Sequence, residues 1–309
     1  MITLPAGAAK NPGFILYSAQ GYDSAMVKAF NATHPGFTVT LNDNSTGPLL
    51  QQIQAEGNNP KWGALWADGA TEFAALDLKG MLVKNSVPSV SFNALGLANV
   101  PTDRSFTPAS VTVTGALCYD SAQVSASQLP STLAQLTEPQ YQGLGMNDPS
   151  QSGPTYPLIA SFMAYLGHYK SGSTAKAVAA GKAFFTTLYQ NGLTVNATNG
   201  PTIAAMQSQQ IKMAIIQSSA CYGHQLSDYP TMRVKYLDAS AQLPGVIGID
   251  AKMPAIVRAD AQKFVDYVMS SAGQNVMKGD WAKTQDGDSL FWPVLVSYTH
   301  LTLPTNREV

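Results

Sequence analysis

Three times within the first 80 residues, a short apolar run is followed by apolar residues at helical spacing and then by a chain break. Phe14-Ile15-Leu16-Tyr17, flanked by Pro12-Gly13, reads as a buried strand. Met26, Val27, Ala29 and Phe30 then recur at helical spacing until His34-Pro35-Gly36 stops them. Phe37-Thr38-Val39-Thr40-Leu41 alternates as a second strand, and Leu49, Leu50 and Ile53 mark a helix that ends at Gly57-Asn58-Asn59-Pro60. Ala64-Leu65-Trp66-Ala67 is the third strand, and Phe73, Ala74, Leu76 and Leu78 form the helix that runs to Gly80. Repeated strand–helix alternation argues for a parallel sheet with helices on both faces, because each crossover must return over one face of the sheet.

The middle of the chain changes character. Ser110 to Tyr119 is a long β-rich stretch, and Arg233-Val234-Lys235-Tyr236-Leu237 is a second one. Between them, Leu158 to Leu166 and Ala175 to Tyr189 read as helices and Met213-Ala214-Ile215-Ile216 as a strand. Ile256 to Ser270 is an amphipathic helix with Val257, Ala261, Phe264, Val265 and Val268 on one face. Two β-rich crossings around a central α/β segment imply one lobe inserted into another. The expected division is residues 1–113 plus 237–295 for lobe 1 and 114–236 for lobe 2. Ligands of open α/β sheets lie outside the carboxyl ends of the strands, so the expected site is a cleft between the lobes.

Only 12% of the 309 residues are charged and the net charge is −1, with no basic run, which argues against a nucleic-acid partner. Cys118 and Cys221 are too few for a thiolate zinc site. They are either a disulfide formed in an oxidising compartment or two small buried hydrophobes. No apolar run reaches the length that spans a bilayer, and the first nine residues lack the basic and apolar regions of an intact signal peptide. The run Val296 to Thr305 continues no period and resembles translated sequencing-adapter DNA; residues 296–309 are therefore expected to be a non-native tail.

Several segments, in order, resemble the bacterial ABC-importer solute-binding proteins related to ferric-ion and phosphonate binders. Leu16 to Gly21 is similar to the family's first ligand-side turn, and Leu49 to Pro60 to a family helix ending before a strand. Trp66-Ala67-Asp68-Gly69 follows, then Leu76-Asp77-Leu78-Lys79-Gly80-Met81-Leu82. Leu136 to Gly143 with Met146 to Gly153 is the most specific piece, and Phe264 to Ser270 followed by Gly273-Gln274 resembles the late helix. The resemblance spans most of residues 13–295 and implies a two-lobe periplasmic-binding-protein type II fold, α/β with mixed sheets flanked by helices. It also implies a periplasmic or otherwise extracytoplasmic location, a membrane permease and ATPase as partners, a small-molecule ligand and no cofactor; a monomer is expected.

Candidate ligand-binding residues follow from strand ends. Ser18 and Ala19 lie between a strand and a helix, where backbone N–H groups can hold an anion, and Asp148 to Gly153 offers the same device, with Ser152 as a donor and Gly153 allowing close approach. The alternative for both is ordinary N-capping. Ser218, Ser219 and Tyr222 follow the strand ending at Ile216. In the ferric-ion relatives this region carries two adjacent tyrosines; here Ser219-Ala220 stands in their place, and Tyr222 alone makes iron the weaker expectation. Asp68 and Glu72 offer charge to an amine, and Trp66, Tyr156, Tyr222 and Trp292 are candidate cleft walls or core residues. An aminoalkylphosphonate or a similar oxyanion uses both sets of groups, with ferric ion, a polyamine or thiamine as alternatives. A hydrolase built on Ser152, or on Cys221 with His224, is the competing class; it lacks a Gly-x-Ser-x-Gly elbow, and no catalytic residue or metal ligand is assigned.

Overall fold

The computed structural model describes residues 13–168, 170–277, 284 and 290–298. Those residues divide into two compact units. Unit 1 falls within residues 1–111, 244–281 and 291–302, and unit 2 within 112–243, 282–290 and 303–309.

Unit 1 opens with the alternation seen in the sequence: β1 (Phe14–Ser18), α1 (Asp23–Thr33), β2 (Val39–Asp43), α2 (Thr46–Glu56), β3 (Trp62–Asp68) and α3 (Ala70–Leu78), then the short α4 (Ala94–Leu97). β1 pairs in parallel with β2 on one side and β3 on the other. The second strand lies two residues later than expected, because Phe37 packs on Phe30 from the turn and does not join the sheet. The helices form where the apolar spacing demands. α1 buries Met26, Val27 and Phe30, and α2 buries Leu49 and Ile53 before Gly57, at φ 56°, returns its N–H to the Ile53 carbonyl.

The chain leaves unit 1 within β4 (Phe106–Asp120). Unit 2 then runs through β5 (Gly145–Asn147), α5 (Thr155–Leu166), α6 (Thr174–Gln190), β6 (Thr194–Asn196), α7 (Asn199–Gln207), β7 (Met213–Ile216) and α8 (Ser218–Ser227). β5 is parallel to both β6 and β7, while β7 is antiparallel to β4. Leu117, Leu133, Leu136, Leu158, Phe162, Phe184 and Ile215 form one apolar core of this unit. Cys118 and Cys221 sit in a second core with Ile203, Met206 and Ala214, and they are joined as a disulfide.

The return is within β8 (Met232–Ile249), whose last part pairs antiparallel with β3. α9 (Ala255–Val268), α10 (Ser271–Met277) and β9 (Trp292–Pro293), which pairs with β4, complete unit 1. The sheets are therefore mixed, as expected: the alternating strands β1, β2 and β3 are parallel, and the β3–β8 and β4–β7 pairs are antiparallel. One face of β3 carries Leu65 and Ala67 into a core with Tyr17, Leu49 and Phe73, while Trp66 on the other face meets Phe264 of α9 and Tyr22. Of the expected tail, Val296–Tyr298 form a 3₁₀ turn, with the Val296 N–H on the Ser91 carbonyl; residues 299–309 lie outside the described residues.

Candidate functional site

In each unit the parallel strands present their carboxyl ends together, and the expected site residues lie there. In unit 1, Ser18 ends β1 and Asp68 ends β3. Both are buried, at 0% and 4% exposure. Gln20 links them: its Nε2 donates to Asp68 Oδ1 at 2.9 Å, and its backbone N–H donates to Ser18 Oγ at 3.3 Å. Gly245 lies opposite Asp68 in the β3–β8 register, and a Cβ there would stand 2.9 Å from Ser110 Oγ and 3.3 Å from Gln20 Oε1. Glycine is what allows the Gln20 amide to lie against β8.

The anion cradle expected at Ser18-Ala19 is corrected. The Ala19 N–H is spent on the Trp66 carbonyl at 2.9 Å, and α1 begins only at Asp23. That helix carries its own acid in the first turn, as α3 does with Glu72. Asp23 is 2% exposed; its Oδ1 accepts the Ser24 N–H, and its buried Oδ2 has no hydrogen-bond partner. Burial raises the Asp23 carboxyl above its usual range, with Asp43 adding like charge and the Ser18 hydroxyl opposing the shift. Burial likewise pushes Asp68 up to about 7, opposed by the Gln20 hydrogen bond and reinforced by Glu72. Edge 1 is acidic.

Unit 2 is the reverse. Asn147 ends β5, and its Nδ2 donates to Ser152 Oγ at 3.2 Å and to Asn199 Oδ1 at 2.6 Å, while Thr202 Oγ1 donates to its Oδ1 at 2.6 Å. This network ties the 148–154 loop to the start of α7. Ser152 and Gly153 are buried before α5, and Tyr156, in its first turn, is 58% exposed. β4 fixes the two helix starts from one strand: Thr114 Oγ1 donates to the Pro154 carbonyl at 2.8 Å, and Thr112 Oγ1 lies 3.2 Å from Ser218 Oγ. Ser218 and Ser219 are buried in the first turn of α8, where Gln217 Nε2 donates to Ser219 Oγ. No side chain caps the N-termini of α5, α7 or α8, and none has an acid in its first turn.

The aromatic wall is corrected in part. Trp66 and Trp292 are core side chains, at 0% and 2% exposure, and Tyr222 is fully buried with its oxygen accepting from Tyr236 Oη at 3.3 Å. Cys221 is in the disulfide, so no thiol is available for a Cys–His pair, and His224 Nδ1 instead meets Asp228 Oδ1 at 2.7 Å. The sequence reading missed Gln20, Asp23, Asn147, Asn199 and Thr202. Only their places just after strand ends or in first helical turns signalled them.

The architecture is that of the type II periplasmic binding proteins. Iron-bound HitA from Pseudomonas aeruginosa is similar over 95% of this chain and 89% of its own, with a TM-score of 0.71 and 19% identity. A periplasmic thiamin binding protein gives 0.73 at 19% identity, over 98% of this chain and 89% of its own. AfuA from Actinobacillus pleuropneumoniae, with exogenous fructose-6-phosphate bound, gives 0.74 at 16% identity, over 96% and 89%. No curated protein sequence matches the chain. The bacterial extracellular solute-binding protein family matches over residues 19–280, and the chain belongs to that family.

Proposed function

We propose that this chain captures a small oxyanion-bearing solute, of the phosphonate or aminoalkylphosphonate class, and delivers it to the permease and ATPase of a membrane importer. The observation that carries the reading is the contrast between helix starts. α1 and α3 of unit 1 hold an acid in their first turn, whereas α5, α7 and α8 of unit 2, like α2 of unit 1, hold none, and no side chain caps any of the six. Helix N-termini carry unsatisfied N–H groups and a partial positive charge, so three of them left uncapped favour an anion without any basic side chain. Ser152 and Ser219 bring hydroxyls to the same edge. AfuA, a relative in fold, holds a phosphate ester.

Ser18, Asp68, Ser152, Gly153, Tyr156, Ser218, Ser219 and Tyr222 remain the proposed ligand-side set, with Ala19 contributing position in place of a donated N–H. Tyr222 is the buried post behind the α8 turn. An extracytoplasmic monomer that acts without turnover is part of the proposal.

A thermal-shift screen over alkylphosphonates, phosphate esters, ferric citrate, thiamine and putrescine tests it. A ligand bound only by the native state raises the melting temperature by mass action. Phosphonates or phosphate esters should do so; stabilisation by ferric citrate alone would sink the oxyanion reading.

A further inference from the structure

A groove of about 480 Å³ opens between α2 and α3 of unit 1. Leu50 and Ile53 of α2, Ala75 and Leu76 of α3, and Met81 just beyond α3 give it an apolar floor. Its basic end is built from three segments. Gly57 and Asn58 follow α2, and Lys252 Nζ donates to the Gly57 carbonyl at 3.3 Å and to Asn58 Oδ1 at 2.9 Å. Lys79 is the C-cap of α3, and the chain just after it is brought beside Lys252 by the Ala251 N–H, which donates to the Met81 carbonyl at 2.9 Å. Glu72, in the first turn of α3, also lines the groove, about 10 Å of helix away from Lys79. The basic end lies beside the start of β3, where the Asp250 N–H donates to the Gly63 carbonyl at 3.1 Å, whereas Asp68 closes the opposite end of that strand. The lysines therefore stand at the far end of β3 from the proposed solute site.

A lysine on the last carbonyls of a helix is ordinarily a cap. Capping accounts for two of the three donors of Lys252. It leaves the third donor, the apolar floor, and Lys79, which enters no ion pair among the described residues. We infer that this groove is a second binding site, for a small amphipathic monoanion: a compact oxyanion such as a carboxylate at Lys79 and Lys252, with an aliphatic tail on Leu50, Ile53, Leu76 and Met81. Mostly apolar walls with a few placed polar groups are what small-molecule sites have, and the volume falls in their range. Glu72 sets the direction of the ligand. A second anionic group at the tail end would meet this carboxylate, whose buried Oε2 receives no hydrogen bond. The site is additional to solute capture at the strand ends and does not depend on it.

Calorimetric titration of the whole chain with octanoate, octylamine and octanedioate at pH 7.5 tests the inference. Octanoate should bind saturably at one site, and the other two about tenfold or more weakly. The double variant Lys79→Gln, Lys252→Gln should lose about tenfold in octanoate affinity, the upper scale for two exposed ion pairs. Ala75→Trp, at an exposed position of α3, fills the groove and should abolish octanoate binding. Ligand-free melting temperatures show that the variants fold, and all three replaced side chains are exposed. Equal affinity for octylamine or for octanedioate overturns recognition of a single anionic head. Undiminished octanoate binding by folded Ala75→Trp places binding outside the groove and overturns the site. No octanoate binding by the unaltered chain overturns the inference outright.

Discussion

Asp68 holds a proton that an exposed aspartate would lose. Its carboxyl titrates near 3.8 when solvated and is raised to about 7 here, chiefly by burial. Between those values the folded chain keeps a proton that the unfolded chain has released, so this residue lowers stability as pH rises from about 4 to about 7, after which its effect levels off. Denaturation midpoints of the chain and of Asp68→Asn, followed from pH 4 to 8, should diverge in favour of the variant as pH rises; a constant difference would contradict the assignment. Asp68 was legible in the sequence because it follows an apolar run that could only be a strand. Asp23 was not, since an acid two residues after Gly21 looks like any helix start until its second oxygen is found buried and unpaired. Ala19 misled for a related reason: strand pairing, invisible in the local sequence, consumes its N–H on Trp66.

Elements with strong apolar period were read correctly in place and type, because periodicity and burial have the same cause. α9 is one of them, and Phe264 is its anchor, fully buried with ring contacts to Phe14, Phe30 and Trp66. Phe264→Ala should cost about 3–5 kcal/mol in urea unfolding, the range for removing a buried aromatic; a loss under about 1 kcal/mol would mean the face is not packed as described. Elements without that period were missed. α7 contains Gly200 and Pro201 in its first turn, and α8 begins Ser218-Ser219, so neither was assigned a helix, while their N-termini became the proposed anion edge. β8 was read only to Leu237, because Pro244-Gly245 looks like punctuation; the strand tolerates them as it passes into unit 1, where the Pro244 carbonyl accepts the Gly69 N–H. The Asn147 network should matter for this edge: Asn147→Ala strands Thr202 and Ser152 and should weaken phosphonate binding about tenfold, with each buried hydrogen bond contributing about 1 kcal/mol.

At the scale of the whole chain, two compact units share a discontinuous path, and unit 2 carries a covalent tie. The Cys118–Cys221 bridge closes a sequence separation of 103 residues within that unit and joins β4 to the helix that presents Ser218 and Ser219. Replacing both cysteines by serine should cost about 2–5 kcal/mol in chemical denaturation and should make the protein insensitive to reductant; unchanged stability would argue that the bridge is not formed in solution. Two cysteines alone could not reveal this, because buried thiols and a disulfide leave the same trace in a sequence. The two β-rich crossings were visible because such long apolar and β-branched runs have no other use. Solute binding is the role the family defines, and capture without turnover is its proposed form here. Titration of the whole chain with phosphonates and phosphate esters, followed by nuclear magnetic resonance of the recovered ligand, measures this most directly. The prediction is saturable binding with one ligand per chain and the ligand returned intact; a cleaved ligand, or no binding across the oxyanion panel, would contradict it.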